Sequence, residues 1–275
     1  MSRVGVIQMT SGPSVADNVT FIEKQIARLV KHGAQWIVTP ENALLFSHRN
    51  DYHAYAETLG HGPIQVRLCE IVRHHKVWLL IGSMPIRRPT GVTSTAVLLD
   101  PLGQCHAYYD KLHMFDVDVD DAQQRYRESE TFVPGNQVVV TDTPFGRLGL
   151  SICYDLRFPA LYSELRKQGA QVIVVPAAFT AVTGQAHWEV LLRARAIETQ
   201  CWIVAAAQGG LHPNGRETWG HSMVISPWGE VISSLDKQAG CLIVEMDEEK
   251  SQQIRSTMPI IEHVRFCNQF KPIKS

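Results

Sequence analysis

Short apolar runs alternate with segments of helical periodicity in both halves of this 275-residue chain. Val4–Met9 and Trp36–Thr39 predict buried strands on either side of a helical pattern. In the second half, Arg147–Ile152 and Gln171–Val175 predict strands that flank a helix over Phe158–Gln168. A repeated strand–helix–strand order favours an α/β fold in which helices cover the faces of parallel sheets. Two such halves predict an internally duplicated sheet architecture.

Other segments extend this pattern. We expect a helix from about Ala186 to Gln200 and a strand over Cys241–Met246. Thr95–Leu99 and Gln104–Tyr109 predict a hairpin. The polar stretch from Asp110 to Gly135 predicts a long loop, and long loops in ordered domains are often functional.

The charge balance argues against a charged polymer as partner. Lys and Arg number 26 and Asp and Glu 27, so the formal net charge is −1. The sequence lacks the basic footprint that nucleic acid or an anionic membrane requires. No run of about 18 apolar residues predicts a transmembrane helix, and the N-terminal residues are typical of a first strand and not of a signal peptide. We expect one domain over residues 1–275, located in the cytoplasm.

Six scattered cysteines, without a C-x-x-C pair, predict reduced thiols and not a disulfide framework. Cys153 is distinctive because it follows a predicted strand and precedes a predicted helix. Backbone N–H groups at the start of that helix would stabilise a thiolate or an oxyanion. A thiol packed beneath the sheet is the alternative interpretation of the same pattern. We expect the other five to be packing residues, namely Cys69, Cys105, Cys201, Cys241 and Cys267.

Three charged residues are further candidates for chemistry. Glu41 directly follows an apolar strand, which fits either a general base or a surface charge at a helix N-terminus. Lys111 and Glu128 lie in the polar stretch, where each taken alone is typical of a solvated side chain.

Metal-binding patterns do not fit the chain. The acidic run over Asp116–Asp121 would place Asp121 where a calcium loop needs glycine and Arg127 where it needs glutamate. The adjacent His74 and His75 have no partners at zinc-ligand spacing. We therefore expect no metal site.

Four segments together resemble motifs of the carbon–nitrogen hydrolase (nitrilase) superfamily. They carry Glu, Lys, Glu and Cys in that order and are Pro40–Asn42, Asp110–Asp116, Arg127–Gly135 and Ser151–Pro159. The resemblance implies an α/β fold built as a four-layer α-β-β-α sandwich with two internally similar halves. It also implies a small-molecule amide substrate, no cofactor, and pairing into a homodimer or higher homo-oligomer across a helical interface.

By position, the resemblance makes Cys153 the nucleophile and Glu41 the general base. Lys111 would stabilise the oxyanion, and Glu128 would orient Lys111 or the amine. The backbone N–H of Tyr154 would be a second oxyanion donor. Attack of the thiolate on an amide carbon would give a thioester, which water activated by Glu41 would cleave.

Four further segments also resemble one branch of the superfamily, namely Pro176–Glu189, Leu192–Cys201, Gly220–Met223 and Pro227–Gly229. Members of that branch hydrolyse deaminated glutathione to 2-oxoglutarate and cysteinylglycine. Such a substrate carries carboxylates and requires cationic or N–H-rich groups in its pocket. Arg157 is the first candidate, the alternative being a structural ion pair with Asp155 or Glu164.

Thr180, Thr183 and His187 are candidate polar groups of the same pocket. Loop hydrogen bonding and helix capping are the alternative explanations for these three side chains. Trp188 is expected to lie in the core or at an interface.

Three other functions stay open at this point. An omega-amidase acting on 2-oxoglutaramate shares the acyl half, so its chemistry would use the same residues. Hydrolysis of a nitrile or an N-carbamoyl amine is a second possibility. A non-catalytic redox-sensing thiol is the third, although a sensor would not need Glu41, Lys111 and Glu128.

Overall fold

Seventeen strands and six helices make up the computed structural model, which describes residues 1–121, 123–266 and 269–270. The strands are β1 Ser2–Gln8, β2 Trp36–Val38, β3 Glu57–Thr58, β4 Trp78–Arg88, β5 Gly91–Leu99, β6 Cys105–Asp110, β7 Asp116–Asp118, β8 Arg125–Arg127, β9 Val140–Thr143, β10 Gly146–Leu150, β11 Val172–Val174, β12 Trp202–Ala205, β13 Gly209–Leu211, β14 Glu217–Trp219, β15 Met223–Ile225, β16 Val231–Ser234 and β17 Gly240–Met246. The helices are α1 Val15–Lys31, α2 Arg49–Ala54, α3 Pro63–His75, α4 Pro159–Lys167, α5 Ala181–Thr199 and α6 Glu248–Thr257.

The two large sheets have matching organisation. The first runs in the order β17-β1-β2-β4-β5-β6, with β3 paired to β4, and the second runs β16-β15-β12-β11-β10-β9. In each sheet three adjacent strands are parallel, β1-β2-β4 in the first and β10-β11-β12 in the second. The flanking strands are antiparallel. This repeated arrangement agrees with the two similar halves predicted from the sequence.

Alternation along the strands explains the layers. Val4 and Val6 of β1 join the core cluster between the sheets, whereas Ile7 packs with the helices on the outer face. Trp36 of β2 stacks on Phe145 of the second half, with ring centroids 4.3 Å apart. Helices α1 and α3 cover the first sheet, and α4 and α5 pack on the second. The fold is therefore the four-layer α-β-β-α sandwich that was predicted.

Helix α5 begins at Ala181, five residues before the predicted start. Its N-cap is Thr180, whose hydroxyl accepts a hydrogen bond from the backbone N–H of Thr183 at 3.2 Å. The first turn contains Gly184, which weakens the helical pattern in the sequence. The cap and the tertiary contacts of this turn outweigh that low propensity.

The predicted long loop contains more regular structure than expected. Strands β7 and β8 pair as an antiparallel hairpin, and Glu128–Glu130 form a short 3-10 turn directly after β8. Cys267, expected to be a packing residue, lies outside the described residues. Of the other expected packing cysteines, Cys201 is buried but Cys105 is exposed, so the prediction was wrong for Cys105. In the ranges that the structure describes, no helix is long and apolar enough to cross a membrane.

The carboxyl ends of parallel strands place the candidate residues at one edge. Glu41 follows β2, Cys153 follows β10, and Pro176 follows β11. Gly82 of β4 lies beneath this edge. A Cβ atom on Gly82 would lie 2.2 Å from the Thr39 carbonyl oxygen and 2.5 Å from the Pro176 Cβ. Only glycine lets these loops approach so closely.

The close approach at Gly82 predicts a measurable loss of stability on substitution. Gly82→Ala forces the loops apart and should lower the free energy of unfolding by about 1–3 kcal/mol. Gly240→Ala is the matched control, because a Cβ at Gly240 meets nothing within 4 Å. Urea unfolding followed by circular dichroism measures both. Equal stability of the two variants would contradict the packing argument.

Candidate active site

A buried lysine between two carboxylates forms the centre of the site. Lys111 Nζ donates to Glu41 Oε1 at 2.7 Å and to both carboxylate oxygens of Glu128 at 2.8 Å. The Lys111 side chain is 1% exposed, that of Glu41 5%, and that of Glu128 15%. Glu41 is therefore not the surface charge that its sequence position also allowed. Three segments far apart in the chain thus meet at one ammonium group.

The backbone holds Lys111 at the end of β6. Its N–H donates to the Ser94 carbonyl oxygen at 3.0 Å, and its own carbonyl accepts from the Gly135 N–H at 2.8 Å. Glu128 is held in turn by the Phe115 N–H, which donates to Oε2 at 2.7 Å. These contacts orient the lysine and its carboxylate partner before any substrate binds.

Burial and neighbouring charges shift the pKa values of Lys111 and Glu128 in opposite directions. Burial alone would lower the pKa of Lys111, but the carboxylates of Glu128 and Glu41 raise it well above its usual range. Lys111 is therefore positively charged at neutral pH. Burial raises the pKa of Glu128, an effect that the Lys111 charge partly offsets.

Cys153 has a strained backbone at the end of its strand. Its φ is 49°, in the left-handed region, and its N–H donates to the Pro176 carbonyl oxygen at 2.8 Å. The residue is 7% exposed and lines the same cavity as Lys111, Glu41 and Glu128. Its thiol is therefore buried yet reaches the cavity.

Asp155 ties the cysteine turn to the lysine loop. This fully buried carboxylate accepts from the Tyr109 hydroxyl at 2.7 Å, from the Ile152 N–H at 2.9 Å and from the His113 ring nitrogen at 2.7 Å. Because Tyr109 and His113 flank Lys111 in sequence, the network fixes the position of Cys153 relative to Lys111.

The resting thiol is neutral. Burial raises the pKa of Cys153 well above its usual range, and the Glu41 carboxylate raises it further. Lys111 and the Ala178 N–H lower it by less. Lys111 therefore favours the thiolate, but burial and the Glu41 carboxylate outweigh its effect on the pKa of Cys153. The arrangement favours proton transfer from the thiol to a base during the reaction over a preformed thiolate.

The cavity beside Cys153 has a volume of about 260 Å³ and an excess of positive charge. Among the described residues that line it, two are acidic, Glu41 and Glu128. Six are permanently cationic, namely Arg49, Lys111, Arg125, Arg127, Arg157 and Arg216. In a chain of net charge −1, this local excess indicates an anionic ligand.

The predicted substrate-binding residues divide into two groups. Tyr154, Arg157 and Thr183 line the cavity. Thr180 is buried as the cap of α5, and His187 contacts Arg157 without lining the cavity. The capping alternative therefore describes Thr180, whose hydroxyl also hydrogen-bonds to that of Thr183 at 2.8 Å.

Arg157 does not form the structural ion pair considered from the sequence. Asp155 accepts its hydrogen bonds elsewhere, and Glu164 accepts from the side chain of Gln168 at 3.1 Å. The Arg157 guanidinium instead lies over the rings of Phe179 and Tyr154, 5.2 and 6.0 Å from their centroids. Trp188 is in the core, as expected, at 1% exposure.

Sequence reasoning missed several lining residues, including Arg49, Asn214 and Arg216. They come from α2 and from the turn between β13 and β14. An isolated arginine in a Pro-Asn-Gly turn gives no local signal of a binding role. Among the described residues, no cluster of three His, Cys, Asp or Glu side chains suitable for a metal ion is found.

The neutral thiol generates a prediction about ionisation. We expect the Cys153 thiolate, measured as the 240 nm absorbance difference between wild type and Cys153→Ala, to be absent at pH 7. It should appear only above the pH at which an ordinary cysteine ionises, since burial and Glu41 raise its pKa. Glu41→Gln should move the titration to lower pH. A full thiolate signal in wild type at pH 7 would contradict this assignment.

Comparison with known proteins identifies relatives over nearly the whole chain. A carbon-nitrogen hydrolase family model matches residues 3–256. The chain is 47% identical over 274 residues to the deaminated glutathione amidase of Yersinia enterocolitica, covering 98% of this chain and 96% of that protein.

Solved structures of similar fold agree with these sequence matches. The Caenorhabditis elegans NitFhit protein matches with a TM-score of 0.89 at 37% identity, over 96% of this chain and 65% of that one. A glutamate-to-glutamine variant of an amidase from Nesterenkonia sp. AN1 matches with a TM-score of 0.80 at 26% identity, over 96% and 97% of the two chains. That variant carries the acetamide moiety of fluoroacetamide at its active site cysteine. Sequence match and fold together show that this chain belongs to the carbon-nitrogen hydrolase family.

Proposed function

We propose that this protein is an amidase that hydrolyses deaminated glutathione to 2-oxoglutarate and cysteinylglycine. The observation that carries the proposal is the Lys111 ammonium, held between Glu41 and Glu128 beside Cys153 in a cationic cavity. The name of the Yersinia relative, 47% identical over the whole length, supports the substrate. The substrate has two carboxylates, which suits the excess of positive charge.

Acylation begins with the neutral Cys153 thiol. The thiol transfers its proton to Glu41 as its sulfur attacks the amide carbon, and the carbonyl oxygen becomes an oxyanion. The Lys111 ammonium and the Tyr154 N–H stabilise that oxyanion. Glu41 then gives the proton to the amide nitrogen, the C–N bond breaks, and cysteinylglycine leaves as a neutral amine. The 2-oxoglutaryl group stays on Cys153 as a thioester.

Deacylation uses the same groups in the reverse sense. Glu41, again ionised, takes a proton from water as the water oxygen attacks the thioester carbon. The tetrahedral intermediate collapses, the C–S bond breaks, and the Cys153 sulfur recovers a proton from Glu41. Lys111 keeps its charge throughout because the two carboxylates raise its pKa. Glu128 holds the Lys111 ammonium in place.

Arg157 is proposed to bind the carboxylate of the acyl half. It ends the 3-10 segment Cys153–Arg157 and lines the same cavity as Cys153. Its guanidinium contacts the rings of Phe179 and Tyr154 and the His187 ring, and no carboxylate of the described residues pairs with it, so it would bind a substrate carboxylate. The Thr183 hydroxyl lines the cavity nearby and would add a hydrogen bond.

A redox-sensing role has less support than catalysis. Sensor cysteines have a lowered pKa and are accessible to oxidants. Cys153 is buried and its pKa is raised. A buried Lys111 between two carboxylates would also serve no purpose in a simple sensor.

Kinetics on two substrates tests the proposal. We expect a higher kcat/KM for deaminated glutathione than for 2-oxoglutaramate, and accumulation of a 2-oxoglutaryl thioester on Cys153 detectable by mass spectrometry. Cys153→Ala should reduce kcat by more than about 10³-fold with unchanged circular dichroism, because it removes the nucleophile. A preference for 2-oxoglutaramate would indicate an omega-amidase. Activity on simple nitriles or carbamoyl amino acids alone would indicate another branch of the family.

We also propose a homodimer in the cytoplasm. Apolar side chains on the outer face of α5 and the adjoining turn are exposed, with Val190 at 68%, Ile197 at 53% and Trp228 at 61%. A contiguous patch of this kind is typical of an interface. The five described cysteines are free thiols, which fits a reducing compartment.

The dimer is tested by sedimentation velocity. Wild type should sediment at about twice the chain mass of 30.8 kDa. Val190→Glu should shift the population towards monomer, because it places a charge in the proposed apolar interface. The exposed Val66 provides a control, since Val66→Glu introduces the same charge on α3. A wild type that stays monomeric at micromolar concentration would contradict the proposal.

A further inference from the structure

We infer that Arg216 binds the terminal carboxylate of the dipeptide leaving group and so selects amides with an anionic amine half. This inference rests on the proposed function and assigns a second anion subsite in the same cavity. Arg157, in the segment that begins with the nucleophile, would hold the acyl end. Arg216 comes from the turn between β13 and β14, which is a separate wall.

The backbone of Arg216 is rigidly placed. Its carbonyl accepts from the His212 N–H at 2.8 Å, and its N–H donates to Asn214 Oδ1 at 3.1 Å. His212 is buried, stacks on Phe46 with centroids 3.9 Å apart, and its ring hydrogen-bonds to the Ser11 carbonyl oxygen at 2.8 Å. Burial lowers the pKa of His212 to about 4, so this support is uncharged at neutral pH. The turn therefore presents Arg216 from a fixed base.

The guanidinium of Arg216 lies between two rings. Its Cζ atom is 5.0 Å from the centroid of Phe46 and 4.9 Å from that of Tyr126. The Tyr126 hydroxyl donates to Asp121 at 2.7 Å, which holds this ring in position. Contact with two rings limits the movement of the guanidinium group within the cavity.

The charge of Arg216 lacks a carboxylate partner in the described part of the chain. No salt bridge joins it to a carboxylate in the described part of the chain, and its buried Nε has no hydrogen-bond acceptor there. The neighbouring Glu217 pairs with Lys237. By contrast, Arg125 and Arg127 of the same cavity pair with Glu130 and Asp118. A half-buried cation without an acceptor is costly, and a ligand carboxylate would supply one.

A row of aromatic rings lies along the cavity between Arg216 and Arg157. Tyr126, beside Arg216, contacts Phe115 at 5.1 Å between centroids, and Phe115 contacts Tyr154 at 5.1 Å. Tyr154 lies under Arg157. This series of ring contacts connects the two guanidinium groups within one cavity. Deaminated glutathione is about as long as three residues and spans roughly 10 Å when extended. It carries one carboxylate at each end.

A double-mutant-style cycle tests the assignment, because Arg216 and the substrate carboxylate are each changed alone and then together. The second substrate is deaminated glutathione with its glycine carboxylate converted to a carboxamide. We expect wild type to prefer the acid over the carboxamide by about 10- to 100-fold in kcat/KM, as a charge-assisted contact requires. In Arg216→Gln the ratio of kcat/KM for the acid to that for the carboxamide should fall to nearly one, because the positive charge that binds the carboxylate is removed. Arg216→Lys should keep part of it.

Two control variants accompany this cycle. Arg28→Gln changes an exposed arginine on α1, outside the cavity, and should keep the wild-type preference. Arg49→Gln removes another arginine that lines the cavity. A wild-type preference retained in Arg216→Gln, or lost only in Arg49→Gln, would overturn the assignment of Arg216. If Arg216→Gln is unfolded by circular dichroism, the test passes to Arg216→Lys, whose ammonium keeps the charge but cannot make a bidentate contact. A reduced preference for the acid in Arg216→Lys supports the assignment, and an unchanged preference overturns it.

The failure of this inference can be told apart from failure of the proposed function. Wild-type turnover of deaminated glutathione tests the function by itself. Without such turnover both proposals fall. Turnover with equal rates on the acid and the carboxamide would leave the amidase function standing and overturn only the second anion subsite.

Discussion

The Lys111 ammonium, buried between Glu41 and Glu128, is the interaction on which the rest of the site depends. An isolated buried charge is strongly unfavourable, so the carboxylates must be held where they neutralise it. The strand edge holds Glu41, and the Phe115 N–H holds Glu128. Removing one partner of a buried pair typically costs about 3–5 kcal/mol. The fold and the chemistry thus share one requirement, because the lysine that stabilises an oxyanion is stable only while these segments stay assembled.

Charge is distributed in the site so that protons move without a change in its total. In the proposed mechanism, the neutral thiol of Cys153 passes its proton to Glu41 within the same cluster. Around this cluster the cavity is cationic, and aromatic rings connect Arg157 with Arg216. We propose that Cys153, Glu41 and Lys111 carry out the reaction and that the two arginines select anionic amides.

Much of the fold could be predicted because its signals are local. The continuous apolar run of β1, which is buried on both faces, and the helical periodicity along α1 are visible in the sequence itself. The start of α5 was misplaced because Gly184 weakens the helical pattern, while the Thr180 cap restores it in the fold. The regular structure within the polar stretch was missed because the pairing of β7 with β8 depends on tertiary contacts more than on propensity.

The sequence by itself determined the layered α/β architecture and, through the resemblance of its motifs, which Glu, Lys and Cys to consider. Only the tertiary structure decided that Thr180 is a cap, that the Cys153 thiol is neutral, and that Arg216 lines the cavity. The physical reason is distance along the chain. Burial, charge pairing and cavity lining arise between segments that are remote in sequence, whereas periodicity arises between neighbours.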